Sequence, residues 1–240
     1  MPQVKRASFQ PSLKFKTRRL RALRPQCDVV LKEFRLPAGK LLCCFDDEDP
    51  SWLHSQKCYG AFKGFHIPVS GVRPGLLPRW VREHLFGSDY LSKFDNLIYI
   101  PETEYSTLPE SFALIFAHEL QHFVQYCEQR KAYDACVLLH KHLISVSAIK
   151  SWDFPHERDA MMVSKHVAKK ALGTSAVEAK LGDPDKEELL KFYLSQSPSG
   201  FDFLAATQRW VEQHKPLLLS LDHSEVEPLG LDFTVEKWWL

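Results

Sequence analysis

Residues 111–127 read SFALIFAHELQHFVQYC, a pattern that predicts a single buried helix. Apolar side chains occupy nearly every helical face, which is typical of a helix enclosed by the rest of its protein. His118, Glu119 and His122 are the only histidine, acidic or basic residues in this segment. Because burying such groups without partners costs several kcal/mol, we expect a metal ion to bind them.

The spacing of these three residues favours a zinc-dependent hydrolase. His118 and His122 are four residues apart, so their imidazoles lie on one side of the helix and can converge on one ion. Glu119 follows His118 directly and therefore points about 100° away around the helix axis. From there it can reach a water molecule that the metal activates, which is the position of a general base. The sequence therefore predicts Glu119 as the catalytic residue and the two histidines as ligands of Zn²⁺.

A catalytic zinc site needs a third protein ligand and an open fourth position. We favour Glu157, because it falls in the first turn of a later predicted helix and small residues such as Ala160 and Ser164 share its face. His156 is the alternative; it is rotated by about 100° from Glu157, so the two are not expected to face the metal together. Glu157 could also serve only to stabilise the helix N-terminus. The other downstream candidates are His140, His142, Asp159, His166, His214 and His223.

Hydrolysis of a peptide bond passes through an oxyanion that needs a hydrogen-bond donor besides zinc. The sequence alone does not choose the donor. The candidates are Tyr105, Tyr126, Tyr133, Tyr193, His214 and His223.

The motif His118-Glu119-Leu120-Gln121-His122, with Gln125 three residues later and Glu157-Arg158-Asp159-Ala160 on a later helix, resembles the gluzincin class of zinc metallopeptidases. The resemblance implies a peptide or protein substrate and a glutamate that completes the zinc ligands. It also implies that an edge strand, here residues 96–100, aligns an extended substrate above the helix. Gln125 extends the match to HExxHxxQ and is expected to support a zinc ligand from behind. The resemblance covers residues 96–172.

The early part of the chain is predicted to form strands. Residues 28–34 and 40–45 are β-leaning runs that a hairpin could join, and residues 62–69 suggest a further strand. Residues 96–100 form a compact apolar run ended by Pro101, which favours an edge position because proline lacks a ladder donor. We therefore expect a zincin-like α+β fold, in which a small mixed or antiparallel sheet presents an edge strand over the HExxH helix.

The later part of the chain is predicted to be mainly helical. Thr107 and Glu110 have the spacing of a capping box before the HExxH helix. Asp153 can cap a later helix, Pro155 suits its first turn, and Gly173 can end it. The predicted helices cover residues 78–86, 111–130, 132–147, 153–172, 184–196 and 201–214, the last of them stopped by Pro216.

Basic residues are concentrated at the start of the chain. Residues 1–26 hold eight basic and no acidic side chains, although the net charge of the whole chain is only +1. We therefore divide the chain into a basic arm, residues 1–26, and a single domain, residues 27–240. The arm is expected to be solvated or docked on the body, with contact to a polyanion or a targeting role as alternatives. The corresponding alternative function is a zinc-stabilised, non-catalytic domain that binds nucleic acid through the arm.

The bulk composition is that of an ordinary globular protein. The chain has 240 residues, 45% of them hydrophobic and 25% charged, with no apolar run long enough for a membrane helix and no recognisable secretory signal. We therefore expect a cytoplasmic protein. The six cysteines include no Cys-x-x-Cys pair, which argues against a zinc ribbon, and we expect free buried thiols. A metal-free interaction protein that docks through Trp238-Trp239-Leu240 is a third functional reading.

Overall fold

The computed structural model describes residues 10–47, 65–69, 81, 91–101, 109–143, 149, 153–175 and 201–226. Over these residues the chain is α+β, as predicted, with the strands early and most of the helices late. The strands are β1 (Ser12–Phe15), β2 (Leu41–Asp46), β3 (Phe65–Pro68) and β4 (Asn96–Pro101). The helices are α1 (Arg18–Arg21), α2 (Arg24–Glu33), α3 (Pro109–Glu128), α4 (Arg130–Leu143), α5 (Pro155–Leu172), α6 (Phe203–Ser220) and α7 (His223–Val226), with a short 3-10 helix at Leu91–Lys93.

The four described strands form one mixed sheet in the order β1-β2-β4-β3. Strands β1, β2 and β4 are parallel, and β3 runs antiparallel to β4. The prediction that residues 96–100 form an edge strand is wrong, since β4 lies between β2 and β3. Its terminal Pro101 is tolerated because proline at the last residue of a strand interrupts no internal ladder bond. Among the described strands, β3 is the outer neighbour of β4.

The predicted hairpin at residues 28–45 is also wrong, because residues 28–33 belong to helix α2. Cys27 and Val30 are buried there, and Leu31 and Phe34 pack against the same core. Their spacing of three, four and seven residues is helical, and it prevails over the β-leaning composition. Helices α1 and α2 thus form the crossover that parallel strands β1 and β2 require.

The described part of the basic arm is integrated into this fold. Strand β1 pairs with β2 along its whole length, and Leu20 and Leu23 are buried in the core. Residues 12–24 are therefore docked on the body of the protein, which is one of the two arrangements expected for the arm.

The central strands β2 and β4 are buried on both faces. Alternate residues of each strand face the helices on one side and a second apolar cluster on the other, as the period of a strand requires. Phe45 of β2 packs on Phe112 and Phe116 of α3, with ring centroids 5.4 and 5.6 Å apart. This packing places α3 directly against the sheet.

Helix α5 makes the most extensive helix contact with α3. Its small residues Ala160, Ser164 and Ala168 are buried, as predicted for close packing. Phe154, not Asp153, is the N-cap of α5, with Pro155 in the first turn. Gly173 ends the helix, as expected, with a positive φ of 92° that suits glycine.

The last long helix continues beyond its predicted end. Helix α6 begins after Asp202, whose side chain caps the helix by accepting a hydrogen bond from the backbone N–H of Ala205. The helix then runs through Pro216 to Ser220. Leu218 is buried in the same cluster as Val211, two turns earlier, so packing against α4 favours continuation of the helix past the proline.

Several predictions fall outside the described residues, among them Thr107 and the helix at residues 184–196; of residues 78–86, only 81 is described. None of the described helices combines the length and the apolarity needed to cross a membrane. Free buried thiols are confirmed for Cys27, Cys43, Cys44 and Cys136, whereas Cys127 is free and exposed.

Candidate metal centre

The three residues predicted as zinc ligands lie together between α3 and α5. The Nε2 atoms of His118 and His122 are 3.0 Å apart on α3. Glu157, in the first turn of α5, places Oε2 3.2 Å from His118 Nε2 and Oε1 3.7 Å from His122 Nε2. Both histidines are buried, and the Glu157 side chain is 20% exposed. The site therefore reaches solvent on the Glu157 side.

These separations fit a single divalent ion. Ligands bound at about 2.0–2.1 Å in a tetrahedron lie about 3.3 Å from one another. The distance of 3.0 Å between the two histidine nitrogens and that of 3.2 Å from His118 Nε2 to Glu157 Oε2 are both close to that value. Two imidazole nitrogens and a carboxylate form a donor set that zinc commonly accepts. The residues present therefore fit the ion that the sequence predicts.

Gln125 determines which nitrogen of His122 faces the site. Its amide nitrogen donates to His156 O at 2.9 Å and to Asp159 Oδ2 at 2.7 Å, both of which can only accept. Its Oε1 must therefore accept the hydrogen bond of 2.9 Å from His122 Nδ1. Nδ1 of neutral His122 then carries the proton, and the lone pair of Nε2 points at His118 and Glu157. Gln125 thus contacts the side of His122 that faces away from the site, which is where a residue that supports a metal ligand is expected.

The electrostatics of the site favour a neutral His122 and an ionised Glu157, whereas they favour the charged form of His118. Burial lowers the pKa of His122 to about 4, with the charge of His118 adding to the effect. Burial alone would raise the pKa of Glu157, but the hydrogen bond from His118 and the charges of His122 and His156 outweigh it and leave the pKa well below its usual value. Burial would also lower the pKa of His118, yet Glu157 raises it overall. A proton on His118 thus occupies the place that a metal ion would take.

Glu119 lies beside the ligands with its side chain almost fully buried. Its Oε2 meets no hydrogen-bond partner among the residues that the structure describes. Burial raises the pKa of Glu119 to about 8; the charge of His118 opposes this rise and that of Glu157 adds to it. Burying a carboxyl oxygen without a hydrogen-bond partner is costly, and the raised pKa has the same cause, because burial disfavours the charged form.

Two more histidines lie against Glu157. His156 Nε2 is 3.4 Å and His140 Nδ1 is 3.9 Å from Glu157 Oε1. His156 thus contacts Glu157, although it does not belong to the group that Glu157 forms with His118 and His122. Side chains tilt towards the N-terminus of a helix, so neighbours in the first turn of α5 can converge beyond the helix end.

Tyr133 is the oxyanion-donor candidate that lies next to the described ligands. Its ring centroid is 5.8 Å from that of His122 and 5.9 Å from that of His156. Burial, and then the charges of Glu119 and Glu157, raise its pKa well above the usual value, so its hydroxyl stays protonated and can donate.

The remaining candidates contact other groups or fall outside the described side chains. Tyr126 stacks under Arg130, and His214 Nδ1 contacts the carbonyl of Trp210 at 2.8 Å. Tyr105, Tyr193 and the side chain of His223 lie outside the described part of the chain.

The contacts of Asp159 and His140 in this site are not evident from the predicted ligand pattern. Asp159 does not join the ligand group; its Oδ2 accepts from Gln121 and Gln125, both at 2.7 Å. His140 follows Tyr133 and Cys136 on one face of α4, with a spacing of three and seven residues that the sequence shows. That spacing could have indicated that His140 faces the interior together with Tyr133.

Comparisons of the chain with protein-family models, with curated proteins and with solved structures found no match. The side chains of this centre and their geometry are therefore the basis for assigning a function.

Proposed function

We propose that this protein is a zinc-dependent hydrolase, and more narrowly a gluzincin-like metallopeptidase. His118, His122 and Glu157 hold the zinc ion, and Glu119 is the general base. The observation that carries the proposal is the convergence of two imidazole nitrogens, 3.0 Å apart, on the carboxylate of Glu157, whose two oxygens lie 3.2 and 3.7 Å from them, beside a buried carboxyl group.

The chain's own residues divide the chemistry between them. When bound, zinc would activate a water molecule and polarise the scissile carbonyl. Glu119 accepts the proton of the attacking water and passes it to the leaving amine. Its buried Oε2, which has no hydrogen-bond partner in the described part of the chain, supports this role. The protonated hydroxyl of Tyr133 donates a hydrogen bond to the developing oxyanion.

An extended peptide is the substrate that the surrounding fold suits best. Among the described strands, β3 is the outermost neighbour of β4, and it contacts α3. A peptide that paired with β3 would be held by main-chain hydrogen bonds along the helix that carries the ligands. In this proposal β3 takes the role that the sequence suggested for residues 96–100.

The proposal is tested by replacing Glu119 with Gln. We expect Glu119→Gln to retain zinc, measured by mass spectrometry of the metal, and to lower kcat on a peptide library about 10²–10⁴-fold, because the base is lost. Glu128→Gln is the matched control, since Glu128 is an exposed residue of the same helix. Full activity of Glu119→Gln would remove Glu119 from the mechanism, and a wild-type protein that binds no zinc would remove the function itself.

Binding of nucleic acid or another polyanion is a second candidate function. Arg18, Arg19, Arg21 and Arg24 are exposed within seven residues of α1 and α2, and arginines so placed can contact phosphates. Affinity for a DNA duplex measured at about 50 and 200 mM salt tests it, since phosphate contacts weaken steeply with salt. Steep salt dependence in a zinc-bound protein that cleaves no peptide would favour this function over the first.

A further inference from the structure

Four imidazoles surround the carboxylate of Glu157, whereas the proposed zinc site uses two of them. His118 lies on the Oε2 side of this carboxylate. His122, His156 and His140 lie on the Oε1 side, at 3.7, 3.4 and 3.9 Å. His156 and His140 have no part in binding the first ion, so their presence needs a separate physical reason.

The distances from His156 and His140 to Glu157 are too long for hydrogen bonds. An N–H···O bond spans about 2.7–3.2 Å, whereas these pairs lie 3.4 and 3.9 Å apart. Two atoms that bind the same ion are about 3.3 Å apart in a tetrahedron. One ligand atom from each of His140, His156 and Glu157 lies within 4.8 Å of the other two, as ligands of a second ion would.

The packing holds both histidines in place. The ring of His140 stacks on buried Phe154, with centroids 4.3 Å apart and planes 27° from parallel. His156 is 2% exposed, and its Nδ1 finds no hydrogen-bond partner among the described residues. His140 is 22% exposed, so an ion can enter from its side.

We propose that the chain binds a second divalent transition-metal ion through His140, His156 and Glu157. The Glu157 carboxylate bridges the two ions, with Oε2 on the first and Oε1 on the second. Two imidazoles and one carboxylate suit Zn²⁺ and chemically similar ions, and the carboxylates of Glu119 and Asp159 help to offset the added charge. This inference rests on the proposed function for the shared ligand Glu157.

Metal stoichiometry tests the second site. The full-length protein is stripped with a chelator, titrated with zinc alone, and its bound metal is counted by mass spectrometry after desalting. We expect two zinc ions per chain in the wild type and one in His140→Phe, which keeps a ring on Phe154 but removes the ligand nitrogen. His118→Asn, which removes a ligand of the first ion only, is expected to retain one.

The outcomes separate the two proposals. One zinc ion in both the wild type and His140→Phe would overturn the second site and leave the hydrolase proposal standing. One ion in the wild type that His140→Phe abolishes would instead overturn the first site as described, and the absence of any zinc would overturn both.

Cobalt titration of the wild type decides the question if His140→Phe does not fold. Two Co²⁺ ions bridged by one carboxylate couple magnetically, so the electron paramagnetic resonance signal per cobalt should fall as the second equivalent binds. A signal that saturates at one equivalent, or that grows in proportion up to two, would overturn the bridged site.

Discussion

At the level of single residues, Gln125 connects the metal ligands on α3 to the start of α5. Its amide contacts His122 on one side and Asp159 and the His156 carbonyl on the other. Asp159 in turn accepts from Gln121. The orientation of His122, a proposed ligand, therefore depends on side chains that are not themselves proposed ligands, an arrangement that is common in metal sites.

Replacement of Gln125 by Met should weaken zinc binding about 10–100-fold, because His122 loses the partner that holds its tautomer. Methionine keeps most of the volume, so packing is little changed. The measurement is competition with a chelator of known affinity. Gln121→Met is the control, since Gln121 also binds Asp159 but does not contact His122. Equal affinities in the two variants would contradict this role of Gln125.

Tyr133 is expected to act on the transition state and not on the metal. Tyr133→Phe should lower kcat about 10²–10³-fold, with KM and zinc content nearly unchanged, because only the hydroxyl is removed. Tyr126→Phe is the comparison, since Tyr126 belongs to the same aromatic group, with ring centroids 6.0 Å apart. Steady-state kinetics that show equal losses in both variants, or no loss in Tyr133→Phe, would exclude Tyr133 as the donor.

The candidate site could be predicted from sequence only where its residues share a helix or a helical face. His118, Glu119 and His122 are related by helix geometry alone, and Glu157 by its place in the first turn of a later helix. The contact between His140 and Glu157 depends on how α4 packs beside α5, and the spacing of residues within either helix does not determine that packing. The sequence therefore predicts one ion and not the wider group of histidines.

At the level of elements, the site depends on the packing of α3 against α5. Ala160 is fully buried, one turn after Glu157. A larger side chain there must displace the start of α5, which carries Glu157, from α3, which carries both histidines. We therefore expect close packing to be a condition for the proposed metal binding as well as for stability.

Ala160→Leu should destabilise the protein by about 1–3 kcal/mol through overpacking and should also weaken zinc binding. Urea denaturation of the zinc-free protein measures the first effect, and chelator competition the second. His166→Leu is the control, because His166 is exposed on the same helix and its replacement should change neither quantity. Unchanged zinc affinity in a destabilised Ala160→Leu protein would mean that the site tolerates movement of α5.

Element types were more predictable than their arrangement. The apolar runs at β2 and β4 are read correctly as strands because both faces are buried. Residues 29–31, Val-Val-Leu, favour a strand by composition, yet the apolar spacing from Cys27 to Phe34 is helical. The order of strands depends on pairing between segments distant in sequence, and local periodicity carries no information about it.

At the level of the whole molecule, several buried histidines are held neutral in the metal-free protein. Burial lowers the pKa of His66 to about 3 and that of His122 to about 4. His118 and Glu119 have raised pKa values instead. Their protonation favours the folded protein in acid, whereas that of the neutral histidines disfavours it. His66 is the best probe of the trend, because it lies on β3, bound to Asn96 Oδ1 at 3.0 Å, and is not one of the proposed metal ligands.

Acid should therefore destabilise the metal-free protein through His66. In the unfolded chain this histidine binds a proton below about pH 6.5, whereas the folded protein does so only near pH 3. The stability that neutral His66 contributes is thus present above pH 6.5 and is lost as the pH falls towards 3. Linkage gives a loss of about 1.4 kcal/mol between pH 7.5 and 5.5. Urea denaturation in the presence of a chelator should show that, from pH 7.5 to 5.5, the stability of the wild type changes less favourably than that of His66→Gln by this amount, because the other titrating groups are common to both proteins. If both proteins lose stability equally, His66 is not held neutral, and the acid response must come from the histidines around Glu157.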